Sequence, residues 1–363
     1  MIRSILVTGG TGTFGQAFVQ SALKRGVERV CVFSRGEHRQ AQMRALIPDS
    51  RVRWFIGDVR DRDRLRRAMQ GTDLVVHAAA LKRIEVGHYN PIEMIRTNVD
   101  GAVNVIEAAQ DAGMGIDPLH AGRILDAPRK IIALSSDKAY QPVSAYGYSK
   151  AIAESLFLSA NDTVGAHGPR FACVRYGNVW RSAGSVVPTW ESMQGPVPVT
   201  DPECTRFFMR LEEAVNLVWD TAQTMRGGEL VIPEWLPAYR LGDLAEAMGR
   251  DIKVLGLPAH EKRHEGMRDG LTSDRARRMS IEELRLELYG ADSRQLLVNR
   301  TIDELELTVR SRNALENAGI HTLLDLVQMT EHEFSLLPYI GKANVDSTGQ
   351  ELQRHGLRFG MKP

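Results

Sequence analysis

The chain has 363 residues, 43% of them hydrophobic, enough to bury a large core in one big domain or in a big domain with a small one beside it. A formal net charge of +1, with no apolar run near the roughly 18 residues of a membrane span, excludes a global pull toward nucleic acid or lipid and leaves a small molecule as the expected partner. Cys31, Cys173 and Cys204 are scattered and odd in number, which fits neither a disulfide framework nor a zinc spacing, so no metal is expected; the absence of a signal-peptide pattern at Met1 makes the cytoplasm the expected location.

In chain order, SILVTGG, RVCVFS, RVRWFIGD, DLVVHAAA, KIIALSS and FACVRYG read as strands, with amphipathic helices between most of them. That alternation predicts an α/β fold with a doubly wound parallel sheet. The stretch 115–129, GIDPLHAGRILDAPR, exceeds the usual connection of about 2–6 residues and reads as a surface excursion. From about 180 the pattern breaks into Pro-rich loops (GPVPVTDPE, VIPEWLPAYR), as for a smaller substrate lobe, mainly 180–285. Short helical periods separated by NAGIHT, QMTEHE and LPYIGKA then predict a small all-helical domain over 296–363, after a main domain over 1–295.

ILVTGGTGTFGQAF places Gly9, Gly12 and Gly15 in G-x-x-G-x-x-G spacing between a strand and a helix. Glycines there permit a tight turn and bring backbone N–H groups and the helix N-terminus up to a pyrophosphate, as in a Rossmann-type dinucleotide site. The second strand ends without the acidic residue that binds a ribose 2′-hydroxyl and offers Ser34 and Arg35 instead. A guanidinium suits a 2′-phosphate, which favours NADP over NAD; the other reading of Arg35 is a solvated loop cation. Asp58, in GDVRD, is placed either to accept from the adenine amino group or to cap the following helix.

In SSDKAYQPVSAYGYSK, Tyr146 and Lys150 lie four apart and share a helix face. A nearby ammonium favours phenolate, lowering the tyrosine pKa from about 10 so that Tyr146 takes a hydroxyl proton while hydride leaves for a nicotinamide. With the Gly-rich turn this resembles the extended short-chain dehydrogenase/reductase superfamily. Within it the sequence is most similar to the NADP-dependent UDP-N-acetylglucosamine 4,6-dehydratases of bacterial polysaccharide and glycan biosynthesis, over most of 1–285. The blocks carrying the resemblance are FSRGE, ALKRIEVGHYNPIEMIRTNVDGAVNVIEAA, SSDKAYQPVSAYGYSK, RYGNVWRSAGSVVPTW, VTDPECTRFFM and HEKRHE.

The resemblance implies oxidation at C4 of a UDP-sugar, loss of water across C5 and C6, and return of the hydride to C6, with C5 inverted in some members. It makes Lys138 the C5 base, Asp137 the acid for the departing C6 hydroxyl and Ser136 a hydrogen-bond donor to substrate. As a base Lys138 has to be neutral, so it is expected to be desolvated or beside another cation; the plainer reading makes Asp137 a turn cap and Lys138 a solvated lysine. The same resemblance puts Thr8, Thr13, Phe14, Val59, Ala78, Ala80, Lys82 and Asn98 with the cofactor, Asn98 as a brace of the active-site backbone. It puts Lys82, Asn178, Val187, Arg206 and Glu261 with the substrate, Asn178 and Arg206 at its diphosphate; Arg181 and Arg210 carry less weight as surface cations. It also implies a homo-oligomer. HEKRH at 260–264 matches the H-E-x-x-H zinc signature, but Pro258 precedes it and a helix is not expected, so it is assigned to the family block of Glu261, Lys262, His264 and Glu265. Where the family carries Arg-Pro-Gly, this sequence has Pro258, Ala259 and His260.

The last 60 or so residues resemble the C-terminal domain of the bacterial RNA polymerase alpha subunit, which binds the DNA minor groove and activator proteins. Arg310 and Asn313 match DNA-contacting positions, whereas Ala343 and Asn344 replace a Lys-Ser pair and Tyr339 stands where DNA-binding hairpins carry glycine. Residues 301–363 hold six Lys and Arg against nine Asp and Glu, a net charge of −3, which favours a protein partner or an oligomer contact over nucleic acid. Two rival functions stay open: another nucleotide-sugar enzyme such as a 4-epimerase, and a metabolite sensor acting through this tail.

Overall fold

The apolar runs of the first half pair side by side as strands, because each run is long enough to bury both faces of the strand it forms. The computed structural model describes residues 2–112, 130–165, 168–290, 301–354 and 357–360. The excursion expected over 115–129 and the domain boundary expected between 295 and 296 lie outside them. The strands are β1 (Ser4–Thr8), β2 (Arg29–Ser34), β3 (Val52–Ile56), β4 (Leu74–His77), β5 (Lys130–Leu134) and β6 (Arg170–Val174). With β10 (Leu230–Val231) they form a seven-stranded sheet in the order β10-β6-β5-β4-β1-β2-β3, every pair parallel.

Side chains alternate between the two faces. Ile5, Val7, Val30, Val32, Leu74, Val76, Ile132 and Leu134 join one apolar core, whereas Leu6, Cys31, Phe33, Val75, Ile131 and Ala133 join the other. The helices α1 (Thr13–Lys24), α2 (Glu37–Leu46) and α9 (Leu211–Thr224) contribute to the first core; α3 (Arg62–Met69), α6 (Gly101–Ala112) and α7 (Ala145–Ser159) contribute to the second. Phe18 of α1 is fully buried and its ring stacks on Trp219 of α9 at 4.9 Å. Between β4 and α6 the backbone runs through α4 (Ile84–Tyr89), α5 (Pro91–Ile95) and a five-residue π segment, Arg96–Asp100.

Beyond the main sheet, β7 (Asn178–Val179), β9 (Thr205–Met209) and β11 (Ala238–Arg240) make a three-stranded sheet with β9 central. The helix α8 (Val186–Glu191) follows β7, β8 (Val197–Val199) pairs with β12 (Ile252–Val254), and β13 (Gly266–Arg268) pairs with β14 (Leu271–Thr272).

The protein divides into two compact units. The first comprises Met1–Gln194, Val199–Leu241 and Val254–Arg278; the second comprises Gly195–Pro198, Gly242–Lys253 and Met279–Pro363. The second unit therefore takes in short segments, and the helix Ile281–Tyr289, that the sequence reading placed in the main domain. Its C-terminal part holds helices Val309–Asn317, Leu323–Gln328, Glu331–Ser335 and Lys342–Arg354. Thr308, Thr322 and Thr330 cap the first three, each side chain accepting an N–H of the first turn. These helices close over Ile302, Leu305, Leu315, Leu326, Phe334 and Leu352, all buried. Among the described residues no helix is long and apolar enough to cross a membrane.

Phe18→Ala leaves a cavity between α1 and α9 that backbone-anchored neighbours cannot refill. The expected cost is about 3–5 kcal/mol, read as a lowered urea midpoint; a midpoint within error of the parent protein rules out this packing as a main support of the first unit.

Candidate active site

The strand order reverses direction between β1 and β4, so the loops leaving their C-terminal ends diverge and open a crevice. Gly9 lies there at φ 67°, and a Cβ on it would meet the Ala79 backbone at 2.8 Å. A Cβ on Gly15 would stand 2.6 Å from Gly10 Cα and Gly9 O, so this turn admits glycine alone at both positions. Gly12 is the N-cap of α1 and supplies no side chain to occupy the first-turn amides. A twelve-residue helix with an uncapped, glycine-lined N-terminus fits a pyrophosphate.

The other residues expected at the cofactor fall into two groups. Some are framework: Thr8 Oγ1 and His77 Nδ1 hydrogen-bond at 2.8 Å, the Phe14 ring stacks between Phe18 and Tyr176, and Val59 is buried in the second core. Thr13 Oγ1 accepts from Ala183 N at 3.0 Å. Ser34 is buried, and its carbonyl and hydroxyl oxygens both accept from Gln40. Others border the crevice: Ala78 and Ala80 are half-buried, and Arg35 is exposed at 3.8 Å from Asp58. Asp58 does not cap α3; Asp61 does, accepting from Arg64 N. Asp58 instead accepts from Arg60 through its backbone N–H and its guanidinium. Burial alone would raise the Asp58 carboxyl, but Arg60's hydrogen bonds and the charges of Arg60 and Arg35 hold it below its ordinary value.

Asn98 sits in the π segment and is buried. Its Oδ1 accepts from Leu81 N at 2.8 Å, and its Nδ2 donates to Leu81 O and to Ser149 Oγ, both at 2.9 Å. The loop after β4 is thereby tied to α7. Lys82 follows, reaching solvent and donating to Ser182 Oγ at 3.3 Å; desolvation, with Arg83 and Lys138 nearby, holds its ammonium below the ordinary lysine value.

At the end of β5 the backbone turns through a 3-10 segment, Asp137–Ala139, whose N-cap is Ser136. Ser136 Oγ accepts from Lys138 N and donates to Asp137 Oδ1 at 2.8 Å. Asp137 is fully buried, and its Oδ2 has no hydrogen-bond partner. Lys138 Nζ donates to Asp137 Oδ1 and Asn178 Oδ1, each at 3.1 Å, and lies 3.3 Å from Glu265 Oε1. Burial, opposed by Lys138 and reinforced by Glu265, pushes the Asp137 carboxyl above the ordinary carboxylate range. Lys138 is desolvated as expected, yet it is not pushed toward neutrality. Burial works against its ammonium, but Asp137 and Glu265 more than offset that and raise it above the ordinary lysine value. The solvated-lysine reading fails with it.

Tyr146 and Lys150 share α7 and are both buried. Lys150 Nζ donates to the Leu134 carbonyl, and burial depresses its pKa. Burial raises the Tyr146 hydroxyl above its ordinary value, opposed by the Lys138 charge and by Ser136.

On the substrate side, Arg206 is not presented as a free fork. It is buried, with Nη1 donating to Thr205 O and Arg263 O and Nη2 paired with Glu261. Arg206 and Glu261 are a brace between β9 and the 261–263 segment, because β9 is central in its sheet and leaves the guanidinium no route to solvent. Val187 is buried on α8. Arg181 pairs with Glu191, and Arg210 with Glu213, as surface cations do. His260 stacks on His88 at 4.9 Å and His264 Nδ1 hydrogen-bonds Thr205 Oγ1, so the H-E-x-x-H histidines point to different partners on non-helical backbone.

Sequence reasoning assigned no role to Glu265, which is buried, or to Lys262, whose Nζ lies 2.9 Å from Glu265 Oε2. Both stand in the HEKRHE block, which was their signal. It also missed the buried Glu154–Arg175 pair, in which Arg175 Nε donates to Glu154 Oε1 at 2.9 Å. Glu154 follows Lys150 by four positions on α7, a spacing that was available to find it.

Known proteins resemble this chain in both of its parts. The family model described as "Polysaccharide biosynthesis protein" matches residues 5–281, and the model for the C-terminal domain of the bacterial RNA polymerase alpha subunit matches residues 291–354. The UDP-N-acetylglucosamine 4,6-dehydratase (inverting) of Campylobacter jejuni is 40% identical over 272 residues, covering 73% of this protein and 77% of the relative. A UDP-glucose 4-epimerase of Rickettsia conorii is 36% identical over 279 residues, covering 73% and 77%. The structure of DesIV, a dTDP-glucose 4,6-dehydratase from Streptomyces venezuelae with NAD bound, superposes with a TM-score of 0.63 at 19% identity, covering 80% of this protein and 97% of that one; it shares the fold.

Burial and the Lys150 charge depress His77, the last residue of β4, to about 3 from 6.5. Between those values the unfolded state binds a proton that the folded state does not, so stability falls as pH drops through that window, by up to about 1.4 kcal/mol per pH unit from this group. In His77→Gln the slope of unfolding free energy against pH is expected to flatten just below pH 6.5. An unchanged slope there removes His77 as its source.

Proposed function

The chain belongs to the polysaccharide biosynthesis protein family of nucleotide-sugar dehydratases and epimerases, and from that membership we propose that it is a 4,6-dehydratase of UDP-N-acetylglucosamine, with NADP recycled in every turnover. The observation that carries this reading is the Asp137–Lys138 pair: a buried acid with an unpartnered oxygen beside a half-buried lysine, within the electrostatic reach of Tyr146. A 4-epimerase moves hydride off and onto C4 and has no use for a second acid and base.

When bound, the nicotinamide would supply reversible hydride chemistry between C4 and C6. The Gly9–Gly15 turn and the N-terminus of α1 would hold the pyrophosphate, and Arg35 would hold the 2′-phosphate. Tyr146 takes the O4 proton as C4 becomes a ketone, which acidifies the C5 proton. Lys138 takes that proton; the C5–H electrons form the C5–C6 double bond, the C6–O bond breaks, and the departing oxygen leaves as water with the proton of Asp137. Lys138 first gives up a proton of its own, for which Asp137 Oδ1, 3.1 Å away, is the adjacent acceptor. C5 is finally reprotonated, and reprotonation on the opposite face inverts it, as the name of the Campylobacter relative indicates for that enzyme.

For the C-terminal helices we favour a protein contact over DNA. Tyr339 is 90% exposed at φ 67°, a conformation that costs a tyrosine strain, and Asn344 Nδ2 donates to Thr308 Oγ1 at 3.1 Å instead of facing outward alone. Together with the net charge of −3 over 301–363, this is a weak surface for phosphate.

Proton NMR of the protein with UDP-N-acetylglucosamine in deuterated water is expected to show a new C6 methyl signal with no net NADPH. A C4-inverted sugar with its C6 hydroxyl intact establishes the epimerase instead. In Lys138→Ala the methyl signal is expected to fall by roughly 10²-fold or more while cofactor remains bound; parent-like turnover rejects Lys138 as the base. Arg35→Ala is expected to weaken NADP binding roughly tenfold and leave NAD binding unchanged, measured by calorimetric titration; equal losses for both remove the 2′-phosphate assignment.

A further inference from the structure

The reaction above asks Asp137 to be a carboxylic acid although it touches an ammonium. A carboxylate that is the sole counterion of a lysine stays ionised and has no proton to give. The structure contains a second carboxylate at the same lysine. Glu265 Oε1 stands 3.3 Å from Lys138 Nζ as an ion pair, beside the two hydrogen bonds that Nζ donates to Asp137 Oδ1 and Asn178 Oδ1.

Glu265 is built in. Ser273 Oγ accepts from its backbone N–H at 2.8 Å, and Lys262 Nζ lies 2.9 Å from its Oε2. Lys262 donates in turn to Tyr140 O at 2.9 Å and Asp137 O at 3.4 Å. The Glu265 carboxylate is thus strutted against the main chain of the very turn that carries Asp137 and Lys138. Burial alone would raise it, but Lys138, Arg206 and Lys262 pull it down to about 2, so it is the fixed anion of the group.

Resting on the dehydratase reading, we infer that Glu265 is the positioning residue of the elimination step: it stays the fixed anion beside Lys138, so that the proton Lys138 gives up rests on Asp137, which passes it to the departing C6 oxygen. Asp137 and Glu265 therefore divide two tasks that a single carboxylate cannot perform together. Glu265 stays the anion, and Asp137 is the acid. Asp137 Oδ2 is buried without a hydrogen-bond partner, so it is the oxygen left free to take that proton. The C4 oxidation uses Tyr146, on which Glu265 acts less than burial, Lys138, Ser136 and Asp137 do.

The test separates the two steps. Full-length Glu265→Gln loaded with NADP is mixed with UDP-N-acetylglucosamine; reduced-nicotinamide absorbance reports C4 oxidation and the NMR methyl signal reports elimination. Methyl formation is expected to slow roughly tenfold or more while C4 oxidation proceeds near the parent rate, so reduced cofactor accumulates. Glu265→Asp, which keeps the charge on a shorter side chain, is expected to recover part of the methyl rate and to show less accumulation. Parent-like methyl formation in Glu265→Gln overturns the inference, and so does a proportional loss of both signals with no recovery in Glu265→Asp. If the Gln variant fails to bind cofactor, the Asp variant decides alone: accumulation supports the inference, and a proportional loss of both signals overturns it. A parent enzyme that gives neither signal sinks the dehydratase reading and this inference with it, whereas normal parent turnover with either overturning result sinks only the inference.

Discussion

A buried ammonium has to be matched, group for group, by oxygens that are themselves held in place. Lys138 is that ammonium, and its three partners come from three places in the sequence: the turn after β5, the strand β7 and the segment before β13. Two of those partners carry visible support of their own. Asp137 receives Ser136, and Glu265 receives Lys262. The requirement to satisfy one cation thus locks the end of the parallel sheet to a segment more than a hundred residues later. Removing any one partner leaves charge stranded in a low-dielectric interior, which is why the group behaves as a unit.

The main sheet provides the rigid side of this arrangement. Its strand order opens the crevice between β1 and β4, and Gly9 and Gly15 let the two loops and α1 approach as closely as backbone allows. Asn98 and the Glu154–Arg175 pair each tie α7 to a neighbouring segment. Buried ion pairs of this kind contribute little net stability against an apolar alternative, but they define one geometry. Tyr146 and Lys150 inherit their positions from that geometry. The second unit follows other rules: threonine caps and an apolar centre around Phe334 are enough to define its C-terminal helices.

Much of this was legible in the linear order of residues. The strands from Ser4 to Val174 were visible because a strand buried on both faces needs an unbroken apolar run, and the glycine turn because only glycine tolerates those contacts. The Asp137–Lys138 and Tyr146–Lys150 pairs were visible because a few residues of spacing place them on one turn and one helix face. The partners of Arg206 were not legible: an arginine beside apolar residues looks the same in sequence whether its fork faces a ligand or, as here, a carbonyl and a carboxylate. Asp58 was read as a possible cap for the same reason, since Asp61, three residues on, is what meets the first turn of α3.

The sequence by itself determined the parallel α/β order, the glycine turn, the local spacing of the Asp137–Lys138 and Tyr146–Lys150 pairs, and the existence of a helical C-terminal part. All of these depend on residues close together in the sequence. Only the tertiary structure decided which charges those residues meet: that Lys138 lies beside both Asp137 and Glu265, and that Lys262 stands beside Glu265. A charge interaction depends on distance and burial in space, and neither can be counted along the sequence.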